Sequence, residues 1–349
     1  MTHKGSVSAN PRGTNLARFV RLLAVNEGHP YPAAQDAERL YVDSPAVGYA
    51  LRAIVEASDT SSASALTTYG ISGEFLELLR ERSAVQRLRD RMFQVLPRVA
   101  TPLETTAPVA AWVGEAGALP AGRATLGSVT AELYKFGLIV PLSRELVQRS
   151  SPIAELVIRR ILTNAVGRFI DEQFLNSSIS LVAGIRPASI TNNATSHTST
   201  GSTTSAISSD LGAMVSALDS WGDAAWIMRQ ETLSFIASRN TGFLHFAGTQ
   251  PILLGLPVYV TPATLNQVTL VDLSAIALSD PPDGLEIEGS SEATIEMDTD
   301  PQVGESSPVS SISTLKSFYQ NNLIGIKCIR QIGWERPISN SVVYMVTSY

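Results

Sequence analysis

The residue types that commonly perform chemistry are present in this chain, but not at the spacing that chemistry requires. The four histidines are scattered and show no metal-ligand spacing; they are His3, His29, His197 and His245. The sequence contains neither a phosphate-binding Gly-x-x-x-x-Gly-Lys-Ser/Thr loop nor a Gly-x-Ser-x-Gly nucleophile elbow, and the stretch from Gly70 to Gly73 is one residue short of the elbow. Carboxylates are abundant, but no pattern pairs two of them as acid and base. We therefore predict no catalytic residue, no cofactor and no metal site.

The stretch from residue 111 to residue 152 carries the clearest structural pattern. It predicts two extended segments, one containing Trp-Val-Gly-Glu and one covering residues 129–142, joined by a tip of small residues. The tip and its bends are marked by Gly114, Gly117, Pro120, Gly122 and Gly127. Because an isolated two-stranded ribbon is only marginally stable in water, we expect this hairpin to rest on another molecule.

Two large apolar residues, Trp112 and Leu119, lie on this ribbon. On a lone chain they would stay partly exposed, whereas burial against a neighbour would stabilise the contact by about 1.5–3 kcal/mol for each residue. The alternative for Trp112 is that it packs down onto a helix of its own chain.

A long helix is predicted directly after the hairpin. Ser151 can cap it, and Pro152 suits the first helical position. Apolar residues recur at every fourth position and predict the buried stripe of this helix; they are Ile153, Val157, Ile161, Ala165 and Phe169.

The rest of the chain gives weaker patterns. Helical spacing predicts helices over residues 16–25, 46–57, 74–79, 85–92, 211–218 and 232–238. Strands are predicted over residues 225–228, 255–262, 285–297 with a turn at Gly289, 323–332 and 342–346, and a Ser/Thr-rich loop over 191–209. The arginines of residues 80–98 are expected to be mostly solvated or paired within their own helices, with one or two as candidates for salt bridges to another subunit; they are Arg80, Arg82, Arg87, Arg89, Arg91 and Arg98.

Length and composition are those of an ordinary globular protein. The chain has 349 residues, enough for two or three compact units, with 44% hydrophobic and 17% charged residues. We expect no membrane span, because no apolar run reaches the necessary length, and no signal peptide at the N-terminus. The single cysteine, Cys328, lies in an alternating strand pattern and is predicted to be a small buried residue rather than a reactive thiol.

Charge is distributed unevenly along the chain. Residues 1–180 hold 19 Lys and Arg against 17 Asp and Glu, a net charge of +2, whereas residues 181–349 hold 7 against 15, a net charge of −8. Residues 272–305 contain ten acidic residues and no Lys or Arg. This run is either a solvated surface or a patch that meets a basic partner. The sequence shows none of the patterns of a DNA-reading domain.

The order of these parts resembles the major capsid proteins of tailed phages that have the Hong Kong 97 fold. The resemblance starts near Gly73 and is carried by GEFLELLRERSAVQRL, WVGEAGALP, PLSRELVQRSSP, FIDEQFLN, AAWIMRQETLSFIASR, LLGLPVYVTPA and FYQNNLIGIKCIRQIGWERP. It implies an α+β fold with an N-terminal arm, an extended hairpin called the E-loop, a peripheral (P) domain with a long spine helix, and an axial (A) domain.

The resemblance also implies domain boundaries. They are an N-terminal arm over residues 1–72, the start of the P domain over 73–105, the E-loop over 106–140, the P domain with its spine helix over 141–187, the A domain over 188–317, and returning P-domain strands over 318–349. We interpret residues 1–72 as an extended arm with short helices that lies on neighbouring subunits. The alternative is a scaffold-like segment that is removed near residues 58–68.

The function that the resemblance implies is a major capsid protein that self-assembles into the icosahedral shell around the double-stranded DNA of a tailed bacteriophage. Its partners would be further copies of itself in hexamers and pentamers, non-specifically contacted DNA, and as candidates a cement or decoration protein, a portal, a scaffold or a prohead protease. Assembly would take place in the host cytoplasm and the product would be the virion, with no membrane contact. Predicted subunit-interface residues in the E-loop and at its base are Trp112, Glu115, Leu119, Lys135, Arg144 and Glu145.

Two alternatives to this function remain open from the sequence. An encapsulin-like protein compartment shares the fold and encloses protein cargo instead of nucleic acid. A soluble hydrolase-like enzyme would need a cluster of titratable groups in a pocket and would act as a monomer.

Some members of the resembled family crosslink a lysine of the hairpin to an asparagine of the closing strand, with the help of a buried glutamate. Asn322 falls at the asparagine position, whereas Ser128 and Ile329 occupy the lysine and glutamate positions. The nearest lysine is Lys135, near the base of the hairpin. We therefore expect a shell held by noncovalent contacts.

Overall fold

The structure is a computed structural model, and it has the mixed α+β composition that the sequence predicts. It describes residues 13–56, 64–106, 111–113, 125–148, 152–220, 222–239, 242–264, 266–281, 284–297 and 315–347. The chain divides into two compact units, each made of three separate stretches. The first unit contains Met1–Arg82, Phe136–Gly167 and Pro282–Arg330, and the second contains Ser83–Lys135, Arg168–Pro281 and Gln331–Tyr349.

Helices dominate the N-terminal part of the chain. The described helices are α1 (Thr14–Val25), α2 (Pro30–Leu40), α3 (Pro45–Glu56), α4 (Ser64–Arg82), α5 (Ala84–Leu88), α6 (Arg144–Gln148), α7 (Pro152–Leu175), α8 (Thr204–Ser216) and α9 (Gln230–Ser238). Short 3-10 turns occupy Arg89–Arg91, Pro262–Thr264, Leu273–Ala275 and Ser339–Ser341.

Strands fill the middle and the end of the chain. They are β1 (Phe93–Gln94), β2 (Thr101–Thr106), β3 (Thr125–Val129), β4 (Tyr134–Ser143), β5 (Thr195–Thr198), β6 (Ala224–Met228), β7 (Leu244–Ala247), β8 (Gln250–Leu253), β9 (Leu256–Val260), β10 (Gln267–Asp272), β11 (Ala277–Ser279), β12 (Leu285–Ser290), β13 (Thr294–Glu296), β14 (Leu315–Ser317), β15 (Leu323–Glu335) and β16 (Val342–Val346). Two pairs, β2–β3 and β13–β14, form two-stranded ribbons outside the larger sheets.

The N-terminal helices pack into the first unit instead of forming an extended arm. Helices α1 and α3 confirm the predicted helices, but α1 contacts α2, α3, α4 and β12. The Glu74 carboxylate accepts hydrogen bonds from the backbone N–H groups of Gly13 (2.6 Å) and Leu16 (3.2 Å), which satisfies free donors at the start of α1. After α1, Gly28 adopts a positive φ of 87° and touches the backbone of Gly289, where a side chain would not fit. The boundary at residue 72 remains a prediction.

Helix α7 begins at Pro152, as predicted, but it buries a different face from the one the sequence indicated. The buried stripe lies one position further along the chain; it consists of Ile158, Leu162, Val166, Ile170 and Phe174. Val157, Ile161 and Phe169 of the predicted stripe are exposed. Both stripes are apolar at the same spacing of four residues, so periodicity alone could not tell which of them faces the core.

Strand β15 confirms the predicted strand and the position of Cys328. In the first unit β15 pairs with β12 and β4, and in the second unit its last residues pair with β11. Cys328 is buried, and this burial raises the pKa of its thiol to about 11. The expected turn at Gly289 is wrong, because Gly289 lies within β12 opposite Ile326, and the chain turns only after Ser290.

The second unit is built on a seven-stranded mixed sheet with the order β5–β16–β10–β6–β9–β8–β7. All five residues of β6 are buried, as expected for a central strand covered on both faces. Its core combines side chains of α8 and α9 with those of the sheet, and Trp226 donates a hydrogen bond to the carbonyl of Leu253 at 3.1 Å. The predicted strands 225–228 and 255–262 and the helix 232–238 are confirmed by β6, β9 and α9.

Two predicted features of the second unit need correction. Residues 191–209 are not one loop, because β5 forms within them and α8 begins at Thr204, where the Thr203 hydroxyl accepts a hydrogen bond from the Ala206 N–H at 3.3 Å. The resemblance assigned residues 342–346 to the returning P-domain strands. A strand, β16, does form there, but it pairs with β10 and β5 in the seven-stranded sheet.

Candidate assembly interface

The predicted hairpin is present, but its first strand lies earlier in the chain than predicted. Its described part is the β2–β3 ribbon, in which Thr101 faces Val129 and Leu103 faces Gly127. Residues 111–113 are not in a strand, and the second extended segment is broken at residues 130–133, after which β4 leaves the ribbon and joins β15. The first strand of the ribbon thus lies before the Trp-Val-Gly-Glu stretch, which the sequence had indicated as that strand.

The structure describes two of the four predicted interface residues of the hairpin, Trp112 and Lys135. Trp112 is fully exposed, so the alternative in which it packs on a helix of its own chain is wrong. Lys135 is exposed on β4. Glu115 and Leu119 lie outside the described residues.

The two predicted residues at the hairpin base, Arg144 and Glu145, contact partners in their own unit. Arg144 forms an ion pair with Glu27 in the turn after α1, and its backbone N–H donates to the carbonyl of Asn322 at 3.0 Å. The Glu145 carboxylate accepts a hydrogen bond from Asn322 Nδ2 at 3.2 Å. These contacts hold the start of α6 to the turn before β15, so both residues have a structural role within the chain.

A second ribbon, β13–β14, was not predicted from the sequence. Ile295 faces Lys316, and Glu296 faces Leu315 in antiparallel register. The turn that follows β14 exposes Tyr319, and Leu315 in the strand is exposed as well. Short strands with mixed polarity give a weak period-two signal, so only the pairing in the tertiary structure identifies this ribbon.

The acidic run 272–305 is not one surface. Asp272 and Asp280 are buried in the second unit, where Asp272 accepts from the Ser274 N–H at 3.1 Å and Asp280 pairs with Arg89 Nε at 3.1 Å. In the first unit, Glu288 pairs with Lys327 on the neighbouring strand. The hydrogen bond from Lys327 lowers the pKa of Glu288, and the same contact raises the pKa of Lys327.

Three arginines of the segment 80–98 connect distant parts of the second unit, a role that the sequence did not predict, although one of them, Arg87, is exposed to solvent as expected. Arg87 donates to the carbonyl of Val260 at 2.7 Å and lies over the ring of Tyr259, with 5.7 Å to its centroid. Arg89 pairs with Asp280, and Arg91 Nε donates to Asp223 at 2.8 Å. Their partners are 132 or more residues away in sequence, and a one-dimensional pattern cannot reveal such pairs.

The buried carboxylate of Asp171 is the main polar centre of the second unit. It accepts hydrogen bonds from Ser83 Oγ (2.5 Å), from the backbone N–H groups of Ala84 (2.9 Å) and Val85 (3.1 Å), and from Thr261 Oγ1 (2.6 Å). Burial raises the pKa of Asp171, and the hydrogen bonds oppose that rise. These four hydrogen bonds come from two other segments of the described chain, so Asp171 holds those segments together.

The described residues contain no group of three or more His, Cys, Asp or Glu placed to hold a metal ion. Within the same part of the chain, no helix is both long enough and apolar enough to cross a membrane. Exposed aromatic side chains follow a strand of each two-stranded ribbon in sequence, Trp112 after β2 and Tyr319 after β14.

Comparison with solved structures identifies the fold. A chain from Mycobacterium phage Adephagia matches with a TM-score of 0.53 at 12% identity, covering 77% of this chain and 91% of that chain. Chains from Gordonia phage Cozz (13% identity, 76% and 87% covered) and Mycobacterium phage Cain (14% identity, 76% and 90% covered) each match with a TM-score of 0.52. The protein therefore has the Hong Kong 97-like capsid fold that the sequence predicted.

Sequence comparison gives the family. The Phage capsid family matches residues 67–326, about three quarters of the chain, so the protein belongs to this family. A relative described as the capsid polyprotein of Pseudomonas phage PAJU2 is 30% identical over an alignment 361 residues long, which covers 95% of this chain and 53% of the polyprotein. The chain thus spans about half the length of this curated relative.

Proposed function

We propose that this protein is the major capsid (head) protein of a tailed phage, and that it self-assembles into the icosahedral shell around the double-stranded DNA genome. The proposal rests on one observation above all, the family match over residues 67–326. The fully exposed Trp112, which follows β2 in sequence, supports it. Within the described residues the β2–β3 ribbon pairs with no further strand, so it would gain stability on a neighbouring subunit.

In this proposal the protein acts by association and has no catalytic role. Copies assemble as hexamers and pentamers, with the A domains around the axes and the E-loops on neighbouring subunits. The proposed interface residues are Trp112, Glu115, Leu119, Lys135, Arg144 and Glu145. Arg144 and Glu145 also make contacts within their own chain. The boundaries of the E-loop, the P domain and the A domain are those given by the resemblance, except that β16 belongs to the seven-stranded sheet. Residues 1–72 are the N-terminal segment that precedes them.

Further partners belong to the same proposal. The shell encloses DNA without reading its sequence, and a cement protein, a portal, a scaffold or a prohead protease are the candidate protein partners. Assembly takes place in the host cytoplasm, and the mature protein resides in the virion. The contacts between subunits are noncovalent, because Ser128 occupies the position at which the crosslinking members of the resembled family have a lysine.

The decisive experiment is size-exclusion chromatography and negative-stain electron microscopy of the chain expressed alone and together with its neighbouring gene products. Closed shells or rings of five and six subunits are the expected result. A chain that stays monomeric in both conditions would contradict the proposal. Shells filled with protein cargo instead of nucleic acid would favour the encapsulin-like alternative.

A further inference from the structure

One face of the seven-stranded sheet extends beyond the helices that cover it. Trp226 of β6 and its neighbour Val258 of β9 are buried in the core that α8 and α9 form with the sheet. Phe246 of the edge strand β7 is 62% exposed, and Pro251, which lies opposite it on β8, is only half-buried. The exposure of apolar side chains thus increases towards β7, because the helices end before the sheet does.

A groove of about 290 Å³ lies between α9 and the β7–β8 hairpin. Its apolar lining includes Leu233 and Ala237 of α9, together with Phe246, Pro251 and Val258 of the sheet. A partner that covers the groove removes this apolar surface from water, which favours its binding.

The dimensions of the groove are those of one further helix. Neighbouring strands lie about 4.8 Å apart, so about 10 Å separates Val258 on β9 from Phe246 on β7. Helices that pack side by side have axes about 8–10 Å apart. Four residues of α9 line the groove at positions i, i+3, i+4 and i+7, which form one face of a helix; they are Gln230, Leu233, Ser234 and Ala237. A helix beside α9 would therefore continue the helical layer over β8 and β7.

The charge at the groove favours an acidic partner. Arg87 lines the groove, is exposed, and donates hydrogen bonds to the carbonyls of Val260 (2.7 Å) and Ser83 (3.4 Å). Its guanidinium also lies over the ring of Tyr259. Among the described residues no carboxylate pairs with Arg87, so neutral groups hold its positive charge in place. A guanidinium fixed in this way is suited to bind a carboxylate, and the described residues that line the groove include no Asp or Glu.

We propose that this groove binds an amphipathic helix of a second protein, with apolar side chains on Phe246 and Pro251 and an Asp or Glu side chain on Arg87. The inference rests on the proposed function and adds to it a site for one further protein of the particle. Nucleic acid is a poorer fit, because a sugar–phosphate backbone would pair with Arg87 but would leave the apolar lining exposed. Labelling distinguishes a different protein from a second copy of this chain, because copies are already present in shells made from this chain alone.

Thiol labelling tests whether a second protein covers the groove. Ser234→Cys places a thiol on the exposed, groove-facing side of α9, and the unmodified chain, whose only cysteine is buried, gives the background. Labelling is expected to be similar in the free chain and in shells made from this chain alone, and about tenfold or more slower in complete virions. Equal labelling in virions and shells would overturn the inference. Protection already present in shells of this chain alone would also overturn it, because a second copy or nucleic acid would then cover the groove.

The matched control is Ser216→Cys, at an exposed position of α8 that does not line the groove. It should be labelled equally in shells and virions, and slower labelling at both positions in virions would indicate general enclosure and overturn the inference. A photoreactive group attached to the Ser234→Cys thiol then identifies the occupant by mass spectrometry. The expected crosslink joins a segment of another protein that has apolar residues at helical spacing and at least one Asp or Glu. A crosslink to this chain would overturn the inference.

Substitution of Arg87 tests the charge of the site. Arg87→Gln should lower the amount of the crosslinked protein in virions by about fivefold or more. Arg87→Lys, which keeps the charge, and the control Arg239→Gln, at the exposed end of α9, should preserve that amount. An unchanged amount in Arg87→Gln virions would overturn the inference while leaving the capsid function intact. Failure of the unmodified chain to form any shell, with or without its neighbouring gene products, would overturn the proposed function and this inference together.

Discussion

The Thr261 hydroxyl donates a hydrogen bond of 2.6 Å to Asp171 Oδ2 and thereby joins the loop after β9 to the last turns of α7. The same carboxylate caps α5 through the N–H groups of Ala84 and Val85. One buried side chain thus connects three segments of the second unit that are about 90 residues apart in sequence.

Asp171→Ala should destabilise the second unit strongly, because it leaves buried hydroxyl and N–H donors without an acceptor. We expect a loss of about 3 kcal/mol or more in the free energy of unfolding, measured by urea denaturation of the unassembled chain. Glu172→Ala, at the exposed neighbouring position, is the control and should change stability by less than about 0.5 kcal/mol. Equal effects of the two substitutions would show that the Asp171 contacts contribute little.

The buried thiol of Cys328 should make stability decrease at alkaline pH. Burial raises its pKa from 9.0 to about 11, so the folded chain keeps a proton that the unfolded chain releases. This contribution is complete below pH 9.0 and is lost as the pH rises towards 11. By linkage, about 1.4 kcal/mol is lost per pH unit within that window.

The measurement for Cys328 is the difference in unfolding free energy between the unmodified chain and Cys328→Ala at several pH values. Lysines and tyrosines titrate in both proteins and cancel in this difference. The stability of the unmodified chain should fall more steeply than that of Cys328→Ala above pH 9.0. Parallel curves would refute the effect of burial on this thiol.

The close approach of Gly333 to the backbone of Glu132 predicts strong intolerance to a side chain. A Cβ at Gly333 would overlap the Glu132 carbonyl oxygen, so Gly333→Ala should lower the unfolding midpoint of the second unit by at least several degrees. Gly212 in α8 has open space around its Cβ position. Gly212→Ala should therefore stabilise the chain by about 0.5–1 kcal/mol, because alanine is the better helix former. Thermal denaturation of both variants tests the contrast.

The ion pair between Arg144 and Glu27 predicts that a charge reversal acts first on the chain itself. Arg144→Glu should destabilise the unassembled chain by about 0.5–1 kcal/mol, a modest loss because the pair is partly exposed to solvent. Adding Glu27→Arg restores opposite charges and should recover most of that loss in urea denaturation. If Arg144→Glu instead leaves the free chain unchanged and blocks shell formation, Arg144 is an intersubunit residue, as the sequence first indicated.

Substitution of Trp112 should weaken the shell and leave the stability of the free chain unchanged, the reverse of the expectation for Arg144. Because its side chain is fully exposed, Trp112→Ala should change the stability of the unassembled chain by less than about 0.5 kcal/mol. In the shell, the same substitution removes apolar contact worth about 1.5–3 kcal/mol per subunit and should lower the urea concentration at which shells dissociate. Light scattering during urea titration measures this, and unchanged dissociation would exclude Trp112 from the interface.

The amino-acid sequence by itself determined most of the local structure and the fold class. Pro152 set the start of α7, and the apolar run of residues 225–228 indicated the strand β6, because these signals depend only on neighbouring residues. The order of the segments was enough to indicate the capsid fold.

The tertiary structure alone decided which surfaces meet. It selected the stripe of Ile158 and Leu162 over that of Val157 and Ile161, and it paired Arg144 with Glu27 within the chain. It also placed β16 in the seven-stranded sheet. The physical reason is that the sequence pattern is the same for two helix faces of equal periodicity, and for several possible ion-pair partners of equal charge. Only the packing of residues distant in sequence selects the buried face and the actual partner.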